Sequence, residues 1–168
     1  MLTGTELDEV WFVVSPQNPL KERSTLLADQ HRLQMVRVAI EDNYRMRACD
    51  VEFHLPKPSY TVVTLAQLRE QYPEREFCLI MGSDNLDNFH RWRNYEQILN
   101  NYNIYVYPRP GHSGGELAKH QNVHIVDVPM MDISSSYIRE LIRQRRSVEY
   151  LLTEPVYKYL TEMHFYER

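Results

Sequence analysis

The sequence is poor in cysteine, contains no long apolar run and lacks the compact motifs that most readily betray a nucleotide, metal or nucleophile site. Its two cysteines, Cys49 and Cys78, form no CxxC pair and sit beside segments that read as strands, so buried free thiols of a cytosolic protein are expected. No apolar stretch approaches the roughly 20 residues that a membrane-crossing helix needs. The opening residues show no basic region followed by an apolar stretch and a small-residue cleavage site, so no secretory signal is expected and a cytoplasmic location is. Neither GxxxxGK[ST], GxGxxG nor HExxH occurs, and there is no GxSxG nucleophile elbow. The 7 histidines are scattered without zinc spacing, and His31, His112 and His164 are weak candidates for ligands. A formal net charge of -4 argues against a broad electrostatic grip on DNA or RNA, while leaving room for a locally basic phosphate pocket.

What the sequence does have is the make-up of one globular domain: 168 residues, enough for a sizeable core, with 43% apolar and 25% charged side chains. Val10 to Val14 is a continuous β-branched and aromatic run that predicts a strand covered on both faces. A helix is predicted from about Leu26 to Glu41, with Leu33, Val36 and Ile40 as its apolar stripe. Val51 and Phe53 suggest a short strand. A helix from about Thr61, carrying Leu65 and Leu68, must stop at Pro73, because proline cannot continue the hydrogen-bond ladder. Strands are predicted over Phe77–Met81, Ile104–Tyr107 and Val123–Val126, and helices over Tyr95–Asn100, Ser134–Arg143 and Val156–Met163. Buried strands alternating with helices predict βαβ units around a parallel sheet in one compact α/β domain covering 1–168.

Open parallel sheets bind ligands at the carboxyl ends of their strands. The polar and Gly/Pro-rich segments Ser15–Lys21, Gly82-Ser83-Asp84 and Arg109-Pro110-Gly111 follow three separate strands there. The strongest local signal is Asp132-Ile133-Ser134-Ser135-Ser136-Tyr137-Ile138-Arg139. Hydroxyls beside the free N–H groups of a helix start make a phosphate cradle, to which Arg139 adds a charge-assisted contact. The plainer alternative is one serine acting as a helix cap and a solvated Arg139. Asp84, after Gly82, is placed either to accept from ribose hydroxyls or to cap the next turn. Trp92 either stacks on a heteroaromatic ring, with Arg91 or Arg93 near an anion, or anchors a surface segment. Lys21 either meets a phosphate or is solvated.

Together, ELDEVWFVVSPQNPLK, PSYTVVTLAQL, MGSDNLDNFHRW, YPRPG and DISSSYIRELI resemble, in order and spacing, the bacterial nicotinate-nucleotide adenylyltransferases. The combination of FHRW, RPG and ISSSxIR separates that family from the pantetheine-phosphate adenylyltransferases, which share the nucleotidyltransferase fold. The resemblance implies a Rossmann-like, doubly wound parallel sheet. It implies transfer of AMP from ATP to nicotinate mononucleotide, giving deamido-NAD and pyrophosphate with Mg²⁺ as cofactor. The mononucleotide's 5′-phosphate oxygen would attack the α-phosphorus directly. Lys21 would contact phosphates. Tyr60 and Thr61 would lie beside the nicotinate, with backbone N–H groups near Thr61 and Val62 receiving its carboxylate. Trp92 would stack on the pyridine, helped by the backbone near Arg93; Gly82 and Asp84 would border the ribose; Arg109 would bind the mononucleotide or its phosphate. Ser135, Ser136 and Arg139 would grip the ATP phosphates.

Three departures from the family pattern stand out. Ser136 replaces a threonine and keeps the hydroxyl; Val63 replaces an aspartate. The family's opening GxFxPxHxGH segment, a strand and a histidine-bearing loop, has no counterpart, so the catalytic histidines are expected upstream of Met1. A seam is then expected where the central first strand would lie. For the chain as written, a non-catalytic nucleotide-binding protein or fragment stands as the alternative, beside a related nucleotidyltransferase with another substrate. The expected partners are ATP and nicotinate mononucleotide, with neither nucleic acid nor membrane. A homo-oligomer is compatible with the sequence.

Overall fold

A computed structural model describes residues 1–16, 27–129 and 133–167. Among the described residues, five short strands and six α-helices follow one another as β1 (Val10–Val13), α1 (Asp29–Ile40), β2 (Met46–Cys49), α2 (Thr61–Gln71), β3 (Leu79–Gly82), α3 (Ser83–Asp87), α4 (Tyr95–Asn101), β4 (Ile104–Tyr107), β5 (Val123–Ile125), α5 (Ser135–Arg143) and α6 (Glu154–Glu162). All strand pairs are parallel. β1 pairs with β2, with Val10 opposite Met46. β3 pairs with β4 and β4 with β5, with Gly82 opposite Tyr107 and Ile104 opposite Val123. Among the described residues no pairing joins the two sheets.

The larger sheet carries the main core. Met81 on β3 and Ile104 and Val106 on β4 meet Leu65 of α2, Leu86 of α3, Phe89 and Ile98 of α4. Leu86, Phe89, Ile98, Ile104 and Val106 have no solvent exposure. Each such side chain contributes about 1.5–3 kcal/mol through burial, which fixes α3 and α4 against the sheet. The smaller sheet meets this body through Trp11, whose ring takes edge contacts from Tyr72 and Phe77 at 4.9 and 5.2 Å. The Arg47 guanidinium covers Trp11 from 4.3 Å. α5 and α6 form a separate cluster from Leu141, Ile142, Leu160 and Phe165, with Leu27 packed against it. His31 of α1 ties into that cluster, its Nδ1 lying 2.9 Å from the Tyr159 hydroxyl.

Local chemistry explains most boundaries. α2 begins where Tyr60 is extended and closes with the Tyr72 N–H donating to Leu68, one residue before Pro73. Ser134 caps α5, its Oγ accepting from the Tyr137 N–H at 3.1 Å. α6 has a proline in its first turn, where the missing N–H costs nothing.

Four expectations are corrected. Val51 and Phe53 lie in a 3₁₀ turn over Val51–His54; the strand is upstream, at Met46–Cys49. β1 is not covered on both faces, since Phe12 is 39% exposed. Cys78 is only half-buried, whereas Cys49 is buried, and burial raises both thiols above their ordinary pKa. Asp84 is not a helix cap: Gly82 holds the cap position of α3, and Asp84 lies inside the first turn. No helix among the described residues is long and apolar enough to cross a membrane.

Candidate functional site

β3 and β4 end side by side, and the chain leaves each strand into a polar segment. After β3 comes α3; after β4 come Arg109, Pro110, Gly111 and His112. Gly111 has φ of 76°, which suits the second central position of a Pro-Gly turn. Arg109 and His112 face each other across that turn, and the His112 N–H donates to the Arg109 carbonyl at 3.1 Å. α3 grips the turn at both ends. The Arg109 N–H donates to Ser83 Oγ at 2.9 Å, and His112 Nδ1 lies 2.6 Å from Asp87 Oδ2. Ser83 and Asp87 are four residues apart and share one face of the helix. Two loops from different strands are thereby locked together.

Gly82 is needed where these loops meet. A Cβ there would collide with Asp84 Oδ1 and come within 2.9 Å of Arg109 Cγ and 3.2 Å of a Tyr107 ring carbon. Asp84 Oδ1 is buried and has no hydrogen-bond partner. Arg109 Nε stands 3.8 Å from it, close enough for charge attraction and too far for a hydrogen bond. A carboxylate oxygen withdrawn from water without a donor is costly, so this atom calls for a ligand hydroxyl or another donor.

Beside it opens a cavity of ≈ 440 Å³ lined by Asp84, Asn85, Asn88, Arg91, Trp92 and His112. That volume lies within the ~300–1,000 Å³ usual for small-molecule sites. Trp92 is half-buried, following a 3₁₀ turn at Phe89–Arg91, and its ring meets the buried Phe89 at 5.2 Å. Packing on a core residue gives the indole a fixed orientation at the cavity wall. The next residue, Arg93, places its guanidinium over the Tyr60 ring at 4.6 Å. That contact draws the start of α2 to the Trp92 segment.

At the start of α2 no side chain caps the first turn, leaving the N–H groups of Thr61 and Val62 without a side-chain acceptor. The turn is held from behind. Glu52, buried, accepts from Ser59 Oγ at 2.6 Å and from Thr64 Oγ1 at 2.7 Å. One carboxylate thus fixes the residues flanking Tyr60 to Val62.

Ser135, Ser136 and Arg139 stand apart, at the start of α5. Both serines are exposed, and Arg139 Nη2 donates to Ser136 Oγ at 3.1 Å while its guanidinium lies 5.8 Å from the Tyr166 ring. Burial holds the Tyr166 phenol above its ordinary pKa, so it remains neutral beside that cation. The cap role falls to Ser134, so neither of the next two hydroxyls is needed to cap the helix. No hydrogen bond or ion pair among the described residues joins this group to the cavity. Lys21 and Asp132 lie outside the described residues.

The structure therefore places Asp84 and Trp92 on the cavity wall, Gly82 and Arg109 close against Asp84, and Arg93 over Tyr60 at the start of α2, where Thr61 and Val62 follow. Sequence reasoning missed Glu52 and Asp87, named Ser83 only as part of the segment after β3, and set His112 aside. Glu52 left one signal, a lone carboxylate between the apolar Val51 and Phe53. No three His, Cys, Asp or Glu side chains among the described residues are arranged to hold a metal ion.

The family model described as cytidylyltransferase-like matches residues 3–141. A protein of Flavobacterium johnsoniae named "Probable nicotinate-nucleotide adenylyltransferase" is 50% identical over 170 residues, an alignment covering 100% of this chain and 88% of that one. A protein of Bacillus pumilus with the same name is 35% identical over 161 residues, covering 96% and 84%. Among solved structures, the Plasmodium falciparum nicotinic acid mononucleotide adenylyltransferase complexed with NaAD superposes with a TM-score of 0.78 at 20% identity, over 95% of this chain and 83% of that one. At that identity the likeness shows the fold, which is the expected nucleotidyltransferase-type α/β architecture.

Proposed function

The chain belongs to the cytidylyltransferase-like family and, within it, to the nicotinate-nucleotide adenylyltransferases, and from that premise we propose that it transfers AMP from ATP to nicotinate mononucleotide. The observation that carries the reading is one cavity wall formed by the core-anchored Trp92 and the unpaired Asp84 oxygen, next to the uncapped start of α2. An aromatic plane, a hydroxyl acceptor and free backbone donors are what a pyridine, a ribose and a carboxylate respectively require.

In this reading the pyridine stacks on Trp92 and its carboxylate accepts from the Thr61 and Val62 N–H groups, with Tyr60 and Arg93 closing that end. Asp84 accepts from a ribose hydroxyl over Gly82, which allows close approach. Arg109, braced by Ser83, holds the mononucleotide phosphate. Ser135, Ser136 and Arg139 hold the ATP phosphates at the start of α5, and Lys21 adds a further cation. The mononucleotide's 5′-phosphate oxygen bonds to the α-phosphorus as the bond from that phosphorus to the bridging oxygen breaks, so pyrophosphate leaves with the electron pair. The attacking oxygen is already anionic, so no protein base is required. The protein supplies alignment and charge stabilisation. Mg²⁺ fits as an ion carried on the ATP phosphates, the usual habit of this cation; when bound, it neutralises charge on the transferring group. The reading places the enzyme in the cytoplasm, with its soluble substrates.

Pyrophosphate release by the purified protein with ATP, Mg²⁺ and nicotinate mononucleotide tests it. Release that depends on the mononucleotide, with Trp92→Ala raising KM by about 10–100-fold through lost stacking, is the expected result. Nucleotide binding without release would leave a binding protein and refute the transferase.

A further inference from the structure

His112 was set aside on sequence grounds, yet it lines the cavity together with Asp84, Arg91 and Trp92. Its ring is oriented at one nitrogen. Asp87 Oδ2 lies 2.6 Å from Nδ1, and a carboxylate only accepts, so Nδ1 carries the donated hydrogen. Nε2 is the nitrogen left for a ligand. The backbone behind it is fixed by the Gly111 turn and by Arg109, whose N–H is bound to Ser83 on the same helix that bears Asp87. A group this constrained, on a wall shared with Trp92, is placed for recognition. With 41% of its side chain exposed, it adds little to the core.

We propose that His112 is a substrate-binding residue whose Nε2 hydrogen-bonds an oxygen of the mononucleotide stacked on Trp92, and that Asp87 is the positioning residue that fixes the ring. The inference rests on the adenylyltransferase reading. The ligand oxygen belongs either to the ribose, with Nε2 accepting from a hydroxyl, or to the phosphate, with Nε2 donating from the doubly protonated ring. Both are hydrogen bonds to the sugar-phosphate portion.

Isosteric variants separate this role from a structural one. The terminal amide of Gln reaches the position of histidine Nε2 with its oxygen as acceptor or its nitrogen as donor, and the Asn nitrogen overlays Nδ1. Calorimetric titration with nicotinate mononucleotide should show His112→Asn weakening Kd about 10-fold, the loss of one hydrogen bond, and His112→Gln staying within about 3-fold of the parent. In turnover, His112→Asn should raise KM with kcat little changed, as for a contact made equally in the ground and transition states. Asp87→Ala should match His112→Asn, Asp87→Asn should restore binding, and Asp87→Ala combined with His112→Asn should be no worse than either alone. Titration with the phosphate-free nicotinate riboside assigns the oxygen: an equal loss in His112→Asn points to the ribose, and no loss points to the phosphate. Normal mononucleotide binding by His112→Asn, with loss in His112→Gln, would mean that the histidine only ties the turn to Asp87, and would overturn the proposal alone. No mononucleotide binding or pyrophosphate release by the parent protein would overturn the adenylyltransferase reading, and this proposal with it.

Discussion

Removing the Glu52 carboxylate should damage both stability and substrate affinity, although Glu52 touches no part of the cavity. Glu52→Ala deletes the acceptor for Ser59 Oγ and Thr64 Oγ1, at 2.6 and 2.7 Å. Hydrogen bonds to a charged group contribute about 1.5–3 kcal/mol each, and two on one carboxylate do not add in full. Thr64 keeps a longer bond to the Tyr60 carbonyl at 3.3 Å, so Ser59 is the hydroxyl stranded in the interior. Against this, deletion relieves the cost of burying a charge. With both donors short and the cavity left behind unfilled, the loss should win, by about 2–3 kcal/mol. At a typical urea dependence of about 1–3 kcal/mol/M, the midpoint falls by about 1–2 M. Glu52→Gln keeps an acceptor oxygen and the volume, and should lose about 1 kcal/mol.

The functional consequence follows from position. Ser59 precedes Tyr60, and Thr64 sits one turn behind the Thr61 and Val62 N–H groups. Unpinned, those donors lose their alignment to the carboxylate of the substrate. KM for nicotinate mononucleotide should rise about 10-fold in Glu52→Ala while KM for ATP stays near its parent value, with Glu52→Gln in between. Parallel urea titrations and initial rates measure both. An unchanged or higher midpoint in Glu52→Ala would show that desolvation dominates at this site. An equal rise in both KM values would show that Glu52 does not act through the start of α2.

Three further outcomes are expected. Gly82→Ala should cost about 1–3 kcal/mol by overpacking and lower kcat/KM more than stability, because its new methyl group displaces Asp84 and Arg109; melting curves beside steady-state rates would show it. Ser134→Ala should lower stability by about 1 kcal/mol, and Ser134→Asp should restore it, in thermal unfolding of the two variants. The Glu9 carboxyl is held below its ordinary pKa by the Trp11 indole N–H and by Arg75. A depressed carboxylate stabilises the fold above its unfolded pKa and loses that contribution as pH falls through its folded one. The urea midpoint of the parent should therefore exceed that of Glu9→Gln at pH 6, with the gap closing below about pH 4.3, where unperturbed glutamate titrates.

The elements legible in the sequence are those whose signal is local. Thr61 and Pro73 bracket α2, and the apolar runs before Gly82 and Pro108 mark β3 and β4. The Val51–His54 turn was not legible, because Val-Glu-Phe alternates like a strand. Its curl depends on Glu52 turning inward to Ser59 and Thr64, which a local window does not contain. Phe12 reads as a core residue by type, yet its exposure is decided by what packs on the face of β1 from which its side chain stands. The ends of β3 and β4 could be named as site loops from their Gly and Pro content. The clamp between them could not, since Asp87 and His112 are 25 positions apart and joined only by the fold. The serine run was half legible: cap and phosphate cradle competed for the same three residues, and the structure gives the cap to Ser134.

The helix starts also show how the candidate site separates fixed donors from free ones. α5 spends the Ser134 hydroxyl on its own first turn, whereas α2 leaves its first turn open and is anchored from behind by a carboxylate. An anchor behind the helix start holds the donors still without occupying them, so they are not reorganised when a ligand arrives. On the proposed reading, discrimination at this position would come from backbone N–H groups. A ligand carboxylate offers acceptors to both Thr61 and Val62, and the helix dipole adds about 0.3–1 kcal/mol in its favour. A primary amide turned to the same place offers one acceptor oxygen, while its NH₂ opposes a backbone donor. Changing the Thr61 or Val62 side chain leaves that choice intact, because neither side chain makes it. Disturbing Glu52 would not, because on the proposed reading the choice of an acid would depend on where the backbone is held.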